Sequence, residues 1–66
     1  DDESGYYAKA CCYALQGKVE QALENLQKAI DIAAHRSRFA ARHNPDFDGI
    51  RNDERFQALV YPQPQH

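Results

Sequence analysis

Apolar residues recur at helical spacing through the first half of the chain and predict two consecutive helices. In YYAKACCYALQG the apolar positions lie three or four residues apart, and Gly17 ends the stretch. The next stretch, KVEQALENLQKAIDIAA, has one apolar face and one polar face, which is typical of a helix that packs on a core. The two predicted helices are joined through the short turn formed by Gln16, Gly17 and Lys18, so we expect an antiparallel helical hairpin.

The second half of the chain predicts two further helices, separated by a proline. RFAAR is rich in helix-forming residues and predicts a short third helix, with Ser37 as its candidate N-cap. Pro45 ends that helix, because the residue before a proline avoids the helical region. Asn52 or Asp53 is then expected to cap a final helix. The apolar face of the final helix consists of Phe56, Leu59 and Val60.

These patterns together predict an all-α fold with four regions. An acidic lead-in at 1–5 precedes the antiparallel helix–turn–helix hairpin at 6–34. A helical closing segment at 35–60 holds the short third helix and a C-terminal capping helix. A flexible tail is predicted at 61–66, since its prolines and glutamines form no regular structure and add no core. The chain begins without a methionine, and we interpret it as a piece of a longer protein.

The hairpin also carries large and small residues at a distinctive spacing. The residues concerned are Tyr6, Ala10, Tyr13, Gly17, Ala22, Leu26 and Ala29. In this respect the hairpin resembles a tetratricopeptide repeat (TPR), a helix–turn–helix unit of 34 residues with a sparse signature. Lys9 departs from the pattern, which usually has leucine there, so we expect a looser or solvent-exposed site. The usual closing proline is missing around Ala34, which leaves the end of the second helix open, at Ala34 or past His35.

The run PDFDGIRNDERFQALV extends the resemblance into the second half of the chain. It is similar to a closing segment that follows the last hairpin of bacterial and organellar TPR proteins, with Glu54 in place of a second proline. Phe47 and Ile50 are expected to fold over the hairpin in one helical turn.

The resemblance implies a protein-binding groove along the first helix. Its groove-facing positions here are Tyr7, Cys11, Ala14 and Leu15. The family's clamp for chaperone C-terminal carboxylates uses Lys and Asn, and Tyr7 and Cys11 occupy the matching positions, so that clamp is absent. A tyrosine with small and aliphatic neighbours favours an apolar or mixed peptide. Alternatively, these residues pack against a preceding repeat, since repeat units stack on their neighbours to bury their faces.

The run NPDFDG presents a metal-binding alternative, because Asn44, Asp46, Asp48 and Gly49 look like the start of a calcium loop. Such a loop needs a bidentate glutamate at its twelfth position. Counting from Asn44, that position is Arg55, which brings the wrong charge. We therefore interpret the run as a structural turn, with no metal site and no cofactor.

Composition and charge narrow the classes further. The chain has 66 residues, so it forms at most one small domain. Its net charge is -2, and a mildly acidic chain is a poor candidate for binding nucleic acid despite the basic stretch HRSRFAARH. No apolar run approaches the roughly 20 residues of a membrane span. The adjacent Cys11 and Cys12 do not form a disulfide framework, which favours reduced thiols in a cytoplasmic or organellar compartment.

These observations lead to three functional hypotheses. The chain has no threonine and no glycine-rich phosphate loop, so we expect no enzymatic activity. The leading hypothesis is a TPR-type protein–protein interaction module, the C-terminal part of a scaffold, assembly factor or co-chaperone. The alternative is a structural cap or self-association element of a repeat array. The third is an accessory domain that uses NPDFDG for a metal or HRSRFAARH for nucleic acid.

Overall fold

A computed structural model describes residues 2–62, which contain five helices, and confirms the predicted all-α fold. The helices are α1 (Glu3–Leu15), α2 (Val19–Ile32), α3 (Ala34–His43), a 3₁₀ helix (Pro45–Ile50) and α4 (Glu54–Val60). Asp1 and residues 63–66 lie outside the described residues, and with them most of the predicted flexible tail. Helix α1 starts earlier than the sequence predicted, because the side chain of Asp2 caps it by accepting a hydrogen bond of 3.1 Å from the Gly5 amide.

The turn between α1 and α2 depends on a left-handed glycine. Gly17 has a φ of 76°, a conformation that side-chain-bearing residues rarely adopt. Two amides close the end of α1: Gly17 donates to the Ala14 carbonyl at 3.0 Å, and Lys18 donates to the Tyr13 carbonyl at 2.9 Å. This pair of bonds is the Schellman motif, which satisfies the last carbonyls of a helix and reverses the chain.

The two helices of the hairpin pack closely through alanines. Ala10, Ala22 and Ala29 are fully buried, which lets the helix backbones approach each other as expected. Lys9, predicted to lie at an exposed site, is exposed, and its ammonium lies 5.6 Å from the centre of the Tyr6 ring. Tyr6, the aromatic residue that begins the resemblance, therefore has a cation over its ring.

The junction between α2 and α3 differs from the prediction at Ser37. Helix α2 ends at Ile32, Ala33 breaks the helical geometry with φ −142° and ψ 78°, and α3 begins at Ala34. Ser37 is therefore inside α3 and is not its N-cap. Its buried hydroxyl donates to the Ala29 carbonyl in α2 at 3.1 Å, so this serine joins two helices across the break. The cap prediction was wrong because it considered only local partners.

The NPDFDG run forms the 3₁₀ helix, which spans two turns where one was predicted. The Asn44 carboxamide oxygen accepts a hydrogen bond of 2.9 Å from the Asp46 amide and so begins the helix, with Pro45 in its first turn. Phe47 and Ile50 point into the core, as the sequence predicted.

Helix α4 begins at a side-chain cap, as predicted. The Asp53 carboxylate accepts a hydrogen bond of 2.8 Å from the Arg55 amide. The Arg55 side chain also donates to this carboxylate, and these bonds hold the pKa of Asp53 below its usual range.

Three arginine side chains bind backbone carbonyls at the C-terminal ends of α3 and α4. The Nε atoms of Arg38 and Arg42 donate to the carbonyls of Leu59 and Val60, at 2.8 and 2.6 Å. Arg51 in turn donates to the carbonyls of Arg42 and Asn44, at 2.9 and 2.8 Å. The last carbonyls of a helix have no partner within it, so these arginines satisfy groups that would otherwise need water.

The core is centred on the ring of Phe47, which is fully buried. This ring lies edge-on to Tyr7 of α1, with centroids 5.8 Å apart, and 5.4 Å from Phe56 of α4. Leu26 and Val60 are also fully buried in the same cluster. The hairpin and the closing segment therefore share one core.

We predict that Phe47→Ala lowers the free energy of unfolding by about 3 to 5 kcal/mol, because it leaves a cavity where three helices meet. A chain of this length has only roughly 3 to 10 kcal/mol of stability in total, so Phe47→Leu is needed as a milder variant. Urea unfolding followed by circular dichroism measures both.

The control is Phe39→Ala, which removes a ring that is 57% exposed and should change stability by roughly 0.5 kcal/mol or less. A loss at Phe47 no larger than the loss at Phe39 would contradict the shared core.

Candidate functional site: the first-helix face

The structure places three of the four predicted groove residues under the closing segment. Tyr7 and Cys11 are half-buried, and Ala14 is buried. Leu15 differs, since 67% of its surface is exposed. The predicted groove face is therefore divided: its first three residues contact the chain's own second half, and the fourth meets solvent.

Asn44 and Phe47 are the residues that cover this face. The Asn44 Nδ2 atom donates to the Tyr7 hydroxyl at 3.1 Å and approaches the Cys11 Sγ at 3.5 Å. Phe47 packs edge-on against the Tyr7 ring at an interplanar angle of 67°. Asn44, which begins the 3₁₀ helix, therefore also binds polar atoms of α1. Phe47 covers the apolar ring of Tyr7.

Burial raises the pKa of the two polar groups of this face. Burial raises the pKa of the Tyr7 hydroxyl, and the hydrogen bond from Asn44 offsets the rise only in part. Burial also raises the pKa of the Cys11 thiol, and the nearby Asp46 carboxylate adds to the rise. A thiol with a raised pKa has little thiolate at neutral pH and is a weak nucleophile.

An uncovered apolar stripe lies on the other side of α1. Ala8, Cys12 and Leu15 recur at spacings of four and three residues, and all three are exposed. Glu3 and Lys9 are the charged residues of α1, whereas the exposed side of α2 carries several charges. A helix that is apolar on both sides is typically buried on both. Sequence reasoning missed Ala8 and Cys12, although their spacing from Leu15 was a signal that could have identified them.

The chain also has an open groove of about 860 Å³ between α2 and α4. Its lining consists of Glu20, Gln21, Leu23, Glu24, Gln27, Arg55, Ala58 and Leu59. Two carboxylates therefore lie beside an apolar floor, on a surface separate from α1. Sequence reasoning missed this groove, because its two walls come from separate helices: α2 ends at Ile32 and α4 begins only at Glu54.

The oxygen-bearing side chains of NPDFDG make contacts within the protein. Asn44 binds the Asp46 amide, and Asp48 forms a salt bridge of 3.0 Å with Arg51. Across residues 2–62, no group of three or more His, Cys, Asp or Glu side chains is placed to hold a metal ion. In the same range, no helix combines the length and apolar character that crossing a bilayer requires.

The basic stretch HRSRFAARH uses its arginines mainly inside the fold. Arg38 and Arg42 bind the C-terminal carbonyls of α4, and Arg36 forms a salt bridge with Glu3 of α1. Phe39 is the exposed apolar residue of this stretch, and its ring lies 4.7 Å from the His43 ring.

No family model, curated protein or solved structure matches this chain. The TPR resemblance therefore stays a prediction, carried by the residues of the hairpin and the closing segment.

We predict that Cys12 reacts with a thiol reagent faster than Cys11 in the folded protein, because Cys12 is exposed and Cys11 lies under the closing segment with a raised pKa. The variants Cys11→Ser and Cys12→Ser isolate the two thiols, and absorbance during reaction with a disulfide reagent at pH 8 gives both rates. In denaturing urea the two rates should become similar. Equal rates in native buffer would show that the segment does not cover Cys11.

Proposed function

We propose that the chain is a non-catalytic, TPR-type protein–protein interaction module that binds an apolar or mixed protein segment on its first helix. The observation that carries this proposal is the exposed apolar stripe of α1, formed by Ala8, Cys12 and Leu15. Exposed apolar surface without its own cover is typical of a site where another protein packs.

The proposed binding residues differ from the groove residues that the sequence predicted. Tyr7, Cys11 and Ala14 are covered by the closing segment, so their part is to hold that segment. Leu15 is the one predicted groove residue that stays available to a partner. The partner then contacts Leu15 together with Ala8 and Cys12, next to the predicted groove face.

A second candidate function is a structural cap at the end of a repeat array. The observation that favours it is the closing segment, which covers the hairpin as a further repeat would. In this case the α1 stripe packs on a preceding helical hairpin of the same parent protein. Both candidates assign one surface to a protein contact, and they differ in whether the contact is within one chain or between two.

The cellular setting in this proposal is a reducing compartment, cytoplasmic or organellar. Both cysteines are free, and Cys12 is exposed. An exposed thiol on a binding surface stays unmodified most readily where thiols are kept reduced. The parent is then a scaffold, assembly factor or co-chaperone.

We predict that a photo-crosslinker attached to Cys12, in the Cys11→Ser background, captures a specific protein from an extract of the source cells. Leu15→Asp should reduce this capture roughly tenfold or more, because it places a charge in an apolar contact. Circular dichroism should show unchanged helicity, since Leu15 is mostly exposed. Mass spectrometry identifies the captured protein and the site of attachment.

The matched control carries the crosslinker at Asp31→Cys, an exposed position of α2 outside the groove between α2 and α4, in a background with both native cysteines replaced by serine. Equal capture from Cys12 and from position 31, or capture that is unaffected by Leu15→Asp, would contradict the proposed binding face. Capture of an upstream part of the parent protein would favour the structural cap.

A further inference from the structure

Two surfaces outside the first helix have opposite charge, and each has an apolar centre. We define the α3 patch as His35, Arg36, Phe39 and His43, and the α2/α4 groove as the groove whose rim is Glu20 and Glu24. We propose that the α3 patch of one copy of this chain docks into the α2/α4 groove of a second copy.

The α3 patch is a convex surface with an aromatic centre. Phe39 is 57% exposed and lies on the side of α3 opposite the buried Ser37 and Ala41. Arg36 and His43 lie three and four residues from Phe39 along the helix, so they flank its ring. An exposed ring with basic neighbours is suited to an apolar site with an acidic rim.

Arg36 remains able to bind a second carboxylate. Its Nη1 atom donates to Glu3, but 79% of the side chain is exposed. A guanidinium has five N–H donors, so one salt bridge leaves others free for an acceptor on another molecule. The sequence from Ile32 to Pro45 contains no acidic residue that would bind these free N–H donors within the patch.

The α2/α4 groove offers the complementary chemistry. Its floor includes Leu23 and Leu59, and its rim carries the exposed carboxylates of Glu20 and Glu24. Arg55, the basic residue among its lining, is held by Asp53 through a contact of 3.1 Å. The excess charge of the groove is therefore negative. Around the α3 patch it is positive, because Glu3 pairs with Arg36 alone, whereas Arg38 and Arg42 of the same helix bind uncharged carbonyls. The two surfaces share no residue.

Complementary surfaces at different places on one molecule produce a head-to-tail contact. In such an assembly each copy offers its patch to one neighbour and its groove to another, which yields chains or rings and not a closed symmetric dimer. A standard interface buries about 800 Å² of each partner, which is nearly a fifth of the 4413 Å² that this chain exposes. A patch centred on one aromatic ring is smaller, so the association is weak and depends on concentration.

The test is sedimentation equilibrium of the full chain from roughly 10 µM to roughly 1 mM, at low and high salt. The average mass should rise with concentration above the monomer's 7.6 kDa, and added salt should reduce the rise. Phe39→Ser removes the patch, and the double variant Glu20→Lys, Glu24→Lys removes the groove. Each should stay monomeric alone, with association weakened roughly tenfold or more.

Mixing the two variants separates a head-to-tail contact from every other form of association. The groove of the Phe39→Ser copy and the patch of the double-variant copy are both intact, so an equimolar mixture should reach twice the monomer mass and go no higher. Ile32→Ser is the matched control, since it changes an exposed apolar residue outside both surfaces and outside the α1 stripe, and should associate like the unmodified chain.

Three results would overturn the proposal: a monomeric unmodified chain at the highest concentration, variants that associate undiminished, or a mixture that stays monomeric. Loss of association in a further variant, Leu15→Ser, would assign the contact to α1 instead. The outcome is independent of the crosslinking experiment, because the two experiments examine different surfaces.

Discussion

The complete burial of the Phe47 ring between α1 and α4 is the constraint on which the rest of this structure depends. A hairpin of two helices has too little core to be stable alone, and Phe47 adds the contact that joins it to the second half of the chain. Because the ring enters beside Tyr7, the 3₁₀ helix must cross the first helix there. That crossing decides which residues of α1 are covered and which stay exposed.

Polar side chains lower the energetic cost of this closure, because nearly every helix end in the second half of the chain has a hydrogen-bond partner. Asn44 begins the 3₁₀ helix and binds Tyr7, so one carboxamide serves both a cap and a tertiary contact. Arg38, Arg42 and Arg51 satisfy carbonyls at the ends of α3 and α4. Among the described residues, no buried side-chain nitrogen or oxygen lacks a hydrogen-bond partner. Arg38 and Arg42 of the basic stretch are thus structural, whereas His35, Arg36, Phe39 and His43 are exposed.

Local features of this fold could be predicted from the sequence, as could the packing of Phe47 and Ile50 on the hairpin, but the polar contacts between distant residues could not. Helical periodicity and Gly17 predicted the hairpin, and Asp53 was among the predicted caps, because each depends on neighbours within a few residues. Ser37 was assigned wrongly because its partner, the Ala29 carbonyl, lies in another helix. The cover over Tyr7 depends on Asn44, 37 residues away, and no local pattern predicts that contact.

The central claim is that the closing segment covers the predicted groove face and leaves the stripe with Leu15 for a partner. The most direct measurement is the nuclear Overhauser effect between aromatic rings in a sample with isotope-labelled Phe and Tyr. Centroid distances of 5.8 and 5.4 Å predict cross-peaks from the Phe47 ring to both Tyr7 and Phe56. Cross-peaks to Phe56 without any to Tyr7 would mean that the groove face is open, and would contradict the account.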